Sequence, residues 1–273
     1  MSTTAIIIIL AVIILGALFL YLIFRKESID NSSFEQRWRE TLIKEVDFYK
    51  HLIPSERVRF EVDIVKFFSK TRITGVDTII NDKDRLLVAC SAVIPLFGYP
   101  GSSFDNISEV LIYKGTFNHD YETKGTNRHI LGMVGDGVMN RHMIISKPAL
   151  VNGYNREHSA MNTGIHEFVH LLDKADGDTD GVPKFVLQSK EVTPWLEVVH
   201  GEIDNILAGN SIIRPYGATN EAEFFSVASE YFFMQPKILL ENHPELYGKL
   251  VKIYHQDPAE GLGKVFGRLI IDN

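Results

Sequence analysis

The stretch that most restricts how this 273-residue chain can fold is Ile165-His166-Glu167-Phe168-Val169-His170-Leu171-Leu172-Asp173. It holds no glycine or proline, and its apolar residues recur at helical spacing. In a helix, His166 and His170 stand one turn apart on the same face. Two imidazoles so placed can share one Zn²⁺, which takes a tetrahedral shell and, in catalytic sites, leaves one position to water. Bound water is acidified toward neutral pH, and Glu167 beside it is a candidate general base rather than a ligand. The alternative is a buried helix whose histidines satisfy local hydrogen bonds.

A third ligand has to arrive from another element. A metzincin would place Gly and His three and six residues after His170, where this chain has Asp173 and Asp176. Residues 221–233, EAEFFSVASEYFF, form a strongly apolar helix closed by Pro236, with Glu223 and Glu230 on one face. At least one of these carboxylates faces inward, where burial is costly without a cation or donors. A metal removes that cost. Asn220-x-x-Glu223 also fits a capping box, in which the carboxylate reaches back to the Asn220 backbone. Glu230 fits either a carboxylate that orients a ligand or a surface one, and Asp173, three residues after His170, either orients an imidazole or neighbouring backbone or caps the helix. Asp176-Gly-Asp178-Thr-Asp180-Gly181 begins like a calcium loop, but Leu187 holds the twelfth position and Pro183 interrupts it. It reads as an acidic loop that ends a helix.

A net charge of −7 with no basic run argues against a nucleic-acid surface. The single Cys90 excludes an intrachain disulfide framework and a thiolate zinc cluster. Residues 5–24 carry no charge over twenty positions, which as a helix spans about 30 Å, the thickness of a bilayer's hydrocarbon core. The expectation is an N-terminal transmembrane anchor over residues 1–26. A cleaved signal peptide fits less well, since no Lys or Arg precedes the run and no small-x-small site follows it. Arg25 and Lys26 follow directly, so the positive-inside rule places the remainder in the cytoplasm.

Residues 27–33 read as a polar linker, and 34–273 as one domain without repeats. Trp38, Leu42, Val46 and Tyr49 predict a helix capped at Ser32 or Ser33 and stopped by Pro54. A second helix from Ser55 is expected to turn Val58, Val62, Val65 and Phe68 inward, and a third runs from Asp82 to Pro95. Residues 110–113, 130–134 and 138–146 are β-rich, with Gly135-Asp136-Gly137 as a hairpin turn. Strands therefore lead into the histidine helix. One of them is either an exposed edge that pairs with an extended peptide or an ordinary interior hairpin.

HEFVHLLD, followed by ADGDTDGVP and EFFSVASEYFF, resembles the Mlc titration factor A family of bacterial zinc metallopeptidases, whose catalytic core is similar to that of anthrax lethal factor. The resemblance extends through ERVRFEVDIVKFF, DRLLVACSAVIPLFG and EVLIYKGTF, over roughly residues 34–235. It implies an α+β, zincin-like metallopeptidase domain: a small sheet, the HExxH helix and a downstream Glu helix. It also implies one Zn²⁺ held by His166, His170 and Glu223 (preferred over Glu230), with Glu167 as base and Tyr216 as donor to the oxyanion. A peptide or protein is then the substrate, and the resemblance alone suggests a transcriptional-regulator partner. The chain departs from the family's soluble members in the apolar run before the domain. Two functions follow: a membrane-anchored zinc peptidase, or a membrane-tethered zinc-containing regulatory protein with little turnover.

Overall fold

A computed structural model describes residues 34–125, 128–135, 137–155, 160–184 and 186–260. The apolar run 5–24 and the linker 27–33 lie outside them. Among the described residues, no helix is long and apolar enough to cross a membrane.

The first expected helix comes as two, α1 (Gln36–Glu45) and α2 (Asp47–His51), separated by the extended backbone of Val46. Its cap is Glu35, ahead of which Ser32 and Ser33 fall outside the described residues. Leu42, Val46 and Tyr49 are buried as the spacing predicted. Helix α3 (Pro54–Lys70) turns its buried face to one side of the expected stripe: Phe60, Glu61, Ile64 and Phe67 are buried, Val65 and Phe68 pack half-buried against the core as expected, and Val58 is 48% exposed. Both stripes have helical spacing, and aromatic packing decides between them. The Phe60 ring lies 5.7 Å from Phe48 and 5.6 Å from Phe97. Glu61 is tolerated on the buried face because Arg39 binds it in a fork at 2.9 and 2.7 Å, and the Tyr49 hydroxyl donates to it at 2.6 Å.

Strand β1 (Arg72–Val76) follows directly and was not legible as a strand. Helix α4 (Asp82–Leu96) starts at a reciprocal cap, Asn81 Oδ1 accepting from the Asp84 N–H and Asp84 Oδ2 from the Asn81 N–H. Consecutive residues Leu86 to Cys90 are buried, so α4 is a core helix wrapped on all sides. Each large apolar side chain among them contributes about 1.5–3 kcal/mol by leaving water. Cys90 is a free thiol, its pKa pushed up by complete burial.

Strands β2 (Glu109–Tyr113), β3 (Gly132–Val134) and β4 (His142–Ser146) complete a four-stranded sheet of order β1-β2-β4-β3. The first three run parallel, and β3 lies antiparallel to β4 with Met133 opposite Ile144. The expected tight hairpin is looser. Residues 137–139 form a 3-10 turn, Arg141 adopts φ 65°, and Ile130 leaves the strand to bridge Phe117. Strand β3 is thus a three-residue edge rather than an interior hairpin arm.

Helices α5 (Lys147–Asn152), α6 (Thr163–Asp173), α7 (Ser189–Leu207), α8 (Glu221–Met234), α9 (Pro236–Asn242) and α10 (Pro244–Tyr254) follow. Helix α6 packs between α4 and α8 and against β3. The result is a mixed α+β domain with a small sheet and many helices.

Candidate active site

Helix α6 begins at Asn162, whose Oδ1 accepts the Ile165 N–H at 3.1 Å and whose Nδ2 donates to the Gly153 carbonyl at 3.0 Å. This fixes the first turn, which ends at His166, with Glu167 the next residue. The Nε2 atoms of His166 and His170 face each other across 3.1 Å, and Glu223 Oε2 lies 3.1 Å from the first and 3.5 Å from the second. Donor atoms of a tetrahedral zinc shell, with bonds of about 2.0–2.1 Å, stand about 3.3–3.4 Å apart. The donor set fits zinc on a second ground too. Two imidazole nitrogens at 3.1 Å cannot both present lone pairs without something positive between them. Among the described residues, these three side chains are the cluster of His, Cys, Asp and Glu close enough to hold one ion.

The Glu223 carboxylate is therefore not spent on a capping box. Asn220 caps α8 by accepting the Glu223 N–H at 2.8 Å, while the carboxylate reaches across to the histidines. Burial alone would raise its pKa, but the hydrogen bonds to His166 and His170 outweigh that and hold it well below the carboxylate range.

Glu230, fully buried, sits two turns further along α8. It accepts from His166 Nδ1 at 2.7 Å, from the Asn162 N–H at 2.5 Å, and from Arg214 at 2.5 and 3.3 Å. Burial opposes its ionisation, yet His166 and Arg214 keep it below the usual carboxylate range. This bond orients the His166 ring, with Nδ1 toward Glu230 and Nε2 toward Glu223 and His170. Burial likewise opposes protonation of His166, and the two glutamates overcome it and raise its pKa.

Glu167 is 5% exposed, and burial raises its pKa. Its carboxylate lies against Gly132 at the start of β3: a Cβ there would stand 2.6 Å from Glu167 Oε1 and 2.8 Å from Thr163 Cγ2. The edge strand and the candidate base are thus in contact because residue 132 has no side chain. Tyr216 lies on the 3-10 turn Pro215–Ala218, half exposed, its ring 6.0 Å from that of His166 and its hydroxyl within the influence of the Glu223 charge. Burial and the Glu223 charge push its pKa up to about 12.

Asp173 ends α6, within reach of the His170 charge but bonded to neighbouring backbone. Its Oδ2 accepts the Gly181 N–H at 2.8 Å and so closes the acidic loop onto the helix. The calcium-like carboxylates of that loop already share a cation, Lys184 Nζ lying 3.4, 3.4 and 3.1 Å from Asp176, Asp178 and Asp180.

Three contributors escaped the sequence reading: Gly132, Asn162 and Arg214. Asn162 carried a usable signal, a capping residue four positions before His166. Arg214 and Gly132 carried none, because their roles depend on which distant side chain lies against them.

The profile of the glucose-regulated metallo-peptidase M90 family matches residues 22–255. An uncharacterized protein of Synechocystis sp. is 26% identical over 87% of this chain and 90% of its own length. Mlc titration factor A of Klebsiella pneumoniae is 27% identical over 85% of this chain and 90% of its own, and that of Pectobacterium atrosepticum is 29% identical over 72% and 78%. With a profile that covers the HExxH helix, the Glu223 helix and the sheet beside them, the chain belongs to the glucose-regulated metallo-peptidase M90 family.

Proposed function

We propose that this protein is a zinc-dependent peptidase that hydrolyses peptide bonds, with His166, His170 and Glu223 holding the ion. The observation that carries the reading is the convergence of two imidazole nitrogens and one carboxylate within 3.1–3.5 Å, with the buried Glu167 carboxylate outside that cluster. When bound, zinc supplies Lewis acidity to water and to the scissile carbonyl. Glu167 takes the proton from the attacking water and returns it to the leaving amine. Tyr216, protonated throughout the neutral range, donates its hydroxyl to the oxyanion. Glu230 holds the His166 ring in the orientation the site needs. An extended peptide adds to the free edge of β3, whose main chain positions the bond next to Glu167. A structural zinc would need neither a base nor an accessible edge beside it.

A second reading draws on the relatives' name. Proteins called Mlc titration factor A are named for Mlc, so a regulator of that kind is the proposed partner here, with the site serving recognition more than turnover. The run 5–24 supports a single-pass anchor in either case, with the domain on the cytoplasmic side.

The test is metal content and peptide cleavage by the full chain, wild type against Glu167→Ala. The expected result is one zinc in both and cleavage by wild type alone, reduced at least about 10³-fold in the variant. Zinc in both with cleavage in neither favours the recognition role. Absence of zinc from both removes the site.

A further inference from the structure

We propose that the cavity at the carboxyl ends of β2 and β4 is the side-chain pocket of the site and takes a large apolar residue of the peptide. This rests on the hydrolytic reading above. The cavity measures about 470 Å³, within the range of about 300–1,000 Å³ found for ligand pockets. Its walls are Thr116 after β2, Leu131 before β3, Pro148 and Ala149 of α5, and Met161 before α6, with Ser146 at the end of β4.

Its position ties it to the chemistry. Leu131 adjoins Gly132, the residue against Glu167, and its carbonyl accepts the Ser146 N–H at 2.7 Å. Met161 adjoins Asn162, the cap of the helix that carries the histidines. The pocket therefore borders the edge strand that touches the base and the cap of α6, on the sheet face opposite the one that Gly132 turns to Glu167. Beyond the carboxyl ends of parallel strands is also where open α/β sheets form their binding crevices. A peptide added to β3 presents alternate side chains to one face, so a residue beside the scissile bond meets this pocket.

The lining sets the chemical class. Leu131, Pro148, Ala149 and Met161 are apolar, and Met161 is 41% exposed, surface that a bound side chain would cover. Ser146 is 1% exposed, yet its Oγ has no hydrogen-bond partner among the described residues, although it stands at the N-cap of α5. A buried hydroxyl without a partner is the kind of group a ligand atom satisfies. Arg128, also on the lining, donates to the Thr123 carbonyl and is not turned wholly to the cavity.

The experiment uses the zinc-loaded full chain and capped peptides that differ at single positions around the cleaved bond, with Ala, Leu, Phe or Asp substituted in turn. The expected result is a kcat/KM at one position at least about ten-fold higher for Leu or Phe than for Ala or Asp. Ala149→Trp and, separately, Met161→Trp should bring that ratio to within about two-fold. Calorimetric binding of the same peptides to the metal-free chain gives a second ratio that does not depend on turnover, and it should change in the same way. Equal rates at every position, a preference for Asp, or a ratio unmoved by both tryptophans would overturn the pocket. Peptide binding with an apolar preference that both tryptophans remove, in a chain that cleaves nothing, would keep the pocket and reject hydrolysis. Cleavage without preference would do the reverse.

Discussion

At the scale of single residues, the site depends as much on a missing atom as on the atoms present. Glu167 Oε1 occupies space that a methyl on residue 132 would enter, at 2.6 Å. Gly132→Ala should therefore push the candidate base aside while leaving the three candidate ligands in place. The expected outcome is a fall in kcat/KM of about 10²-fold, the cost of roughly 1 Å of misplacement, with zinc content unchanged. Kinetics run alongside metal analysis would show it, and unchanged kinetics would mean that Glu167 is not positioned by β3. His166, Glu167 and His170 could be singled out because their spacing is local and their chemistry narrow, whereas Glu223, 57 residues from His166, was preferred over Glu230 only by the family resemblance. Gly132 was not, since nothing near it in sequence shows that a buried carboxylate comes to rest against it.

At the scale of elements, α6 and α8 are joined by Glu230, and the turn that carries Tyr216 is joined to the same carboxylate by Arg214. The Arg214 guanidinium also lies 6.0 Å from the Tyr216 ring centroid. Arg214→Ala leaves a fully buried carboxylate with one cationic partner fewer. Breaking a fully buried pair costs about 3–5 kcal/mol, and the 26% exposure of Arg214 argues for the lower end. The expected outcome is a lower melting temperature together with faster zinc loss to a chelator, and Arg214→Lys should recover part of both.

The far end of α6 gives a pH dependence. Burial raises the Asp173 carboxyl to about 6, with Asp176 and Asp180 adding to the shift and the Gly181 N–H and His170 opposing it. Its folded-state pKa thus lies above the unfolded value of about 3.9, so its stabilising contribution is complete below that value and is lost as pH rises through about 6. Asp173→Asn should melt higher than wild type at pH 7, with the difference vanishing near pH 4. A difference independent of pH would assign the effect to packing. Element types read well from the sequence where periodicity was long, in α4, α6 and α8. The inward face of α3 did not, because two stripes two positions apart fit the same helix and only the Phe48 and Phe97 rings choose between them.

At the scale of the whole domain, the three candidate ligands come from two helices separated by about fifty residues of chain, and the sheet contributes the edge beside them. The parallel order β1-β2-β4 was not legible, since β1 is a five-residue strand containing Gly75 that follows a helix without a break in composition. A metal that bridges such distant parts binds the folded chain and not the unfolded one. Zinc at 100 times its dissociation constant should add about 2.7 kcal/mol, and the apo chain should melt correspondingly lower by calorimetry. Addition of calcium should leave that temperature unchanged, because Lys184 already serves the acidic loop.

The three-way grip on Glu230 also sets an order in time. Its donors are Asn162, His166 and Arg214, all earlier in the chain, so during synthesis they wait without their acceptor until residue 230 has left the ribosome. A chain stalled short of α8 carries two histidines without their carboxylate, and free zinc finds no finished shell. The candidate site, on this view, is withheld from every incomplete copy and is assembled only once the helix that carries Glu223 and Glu230 has emerged.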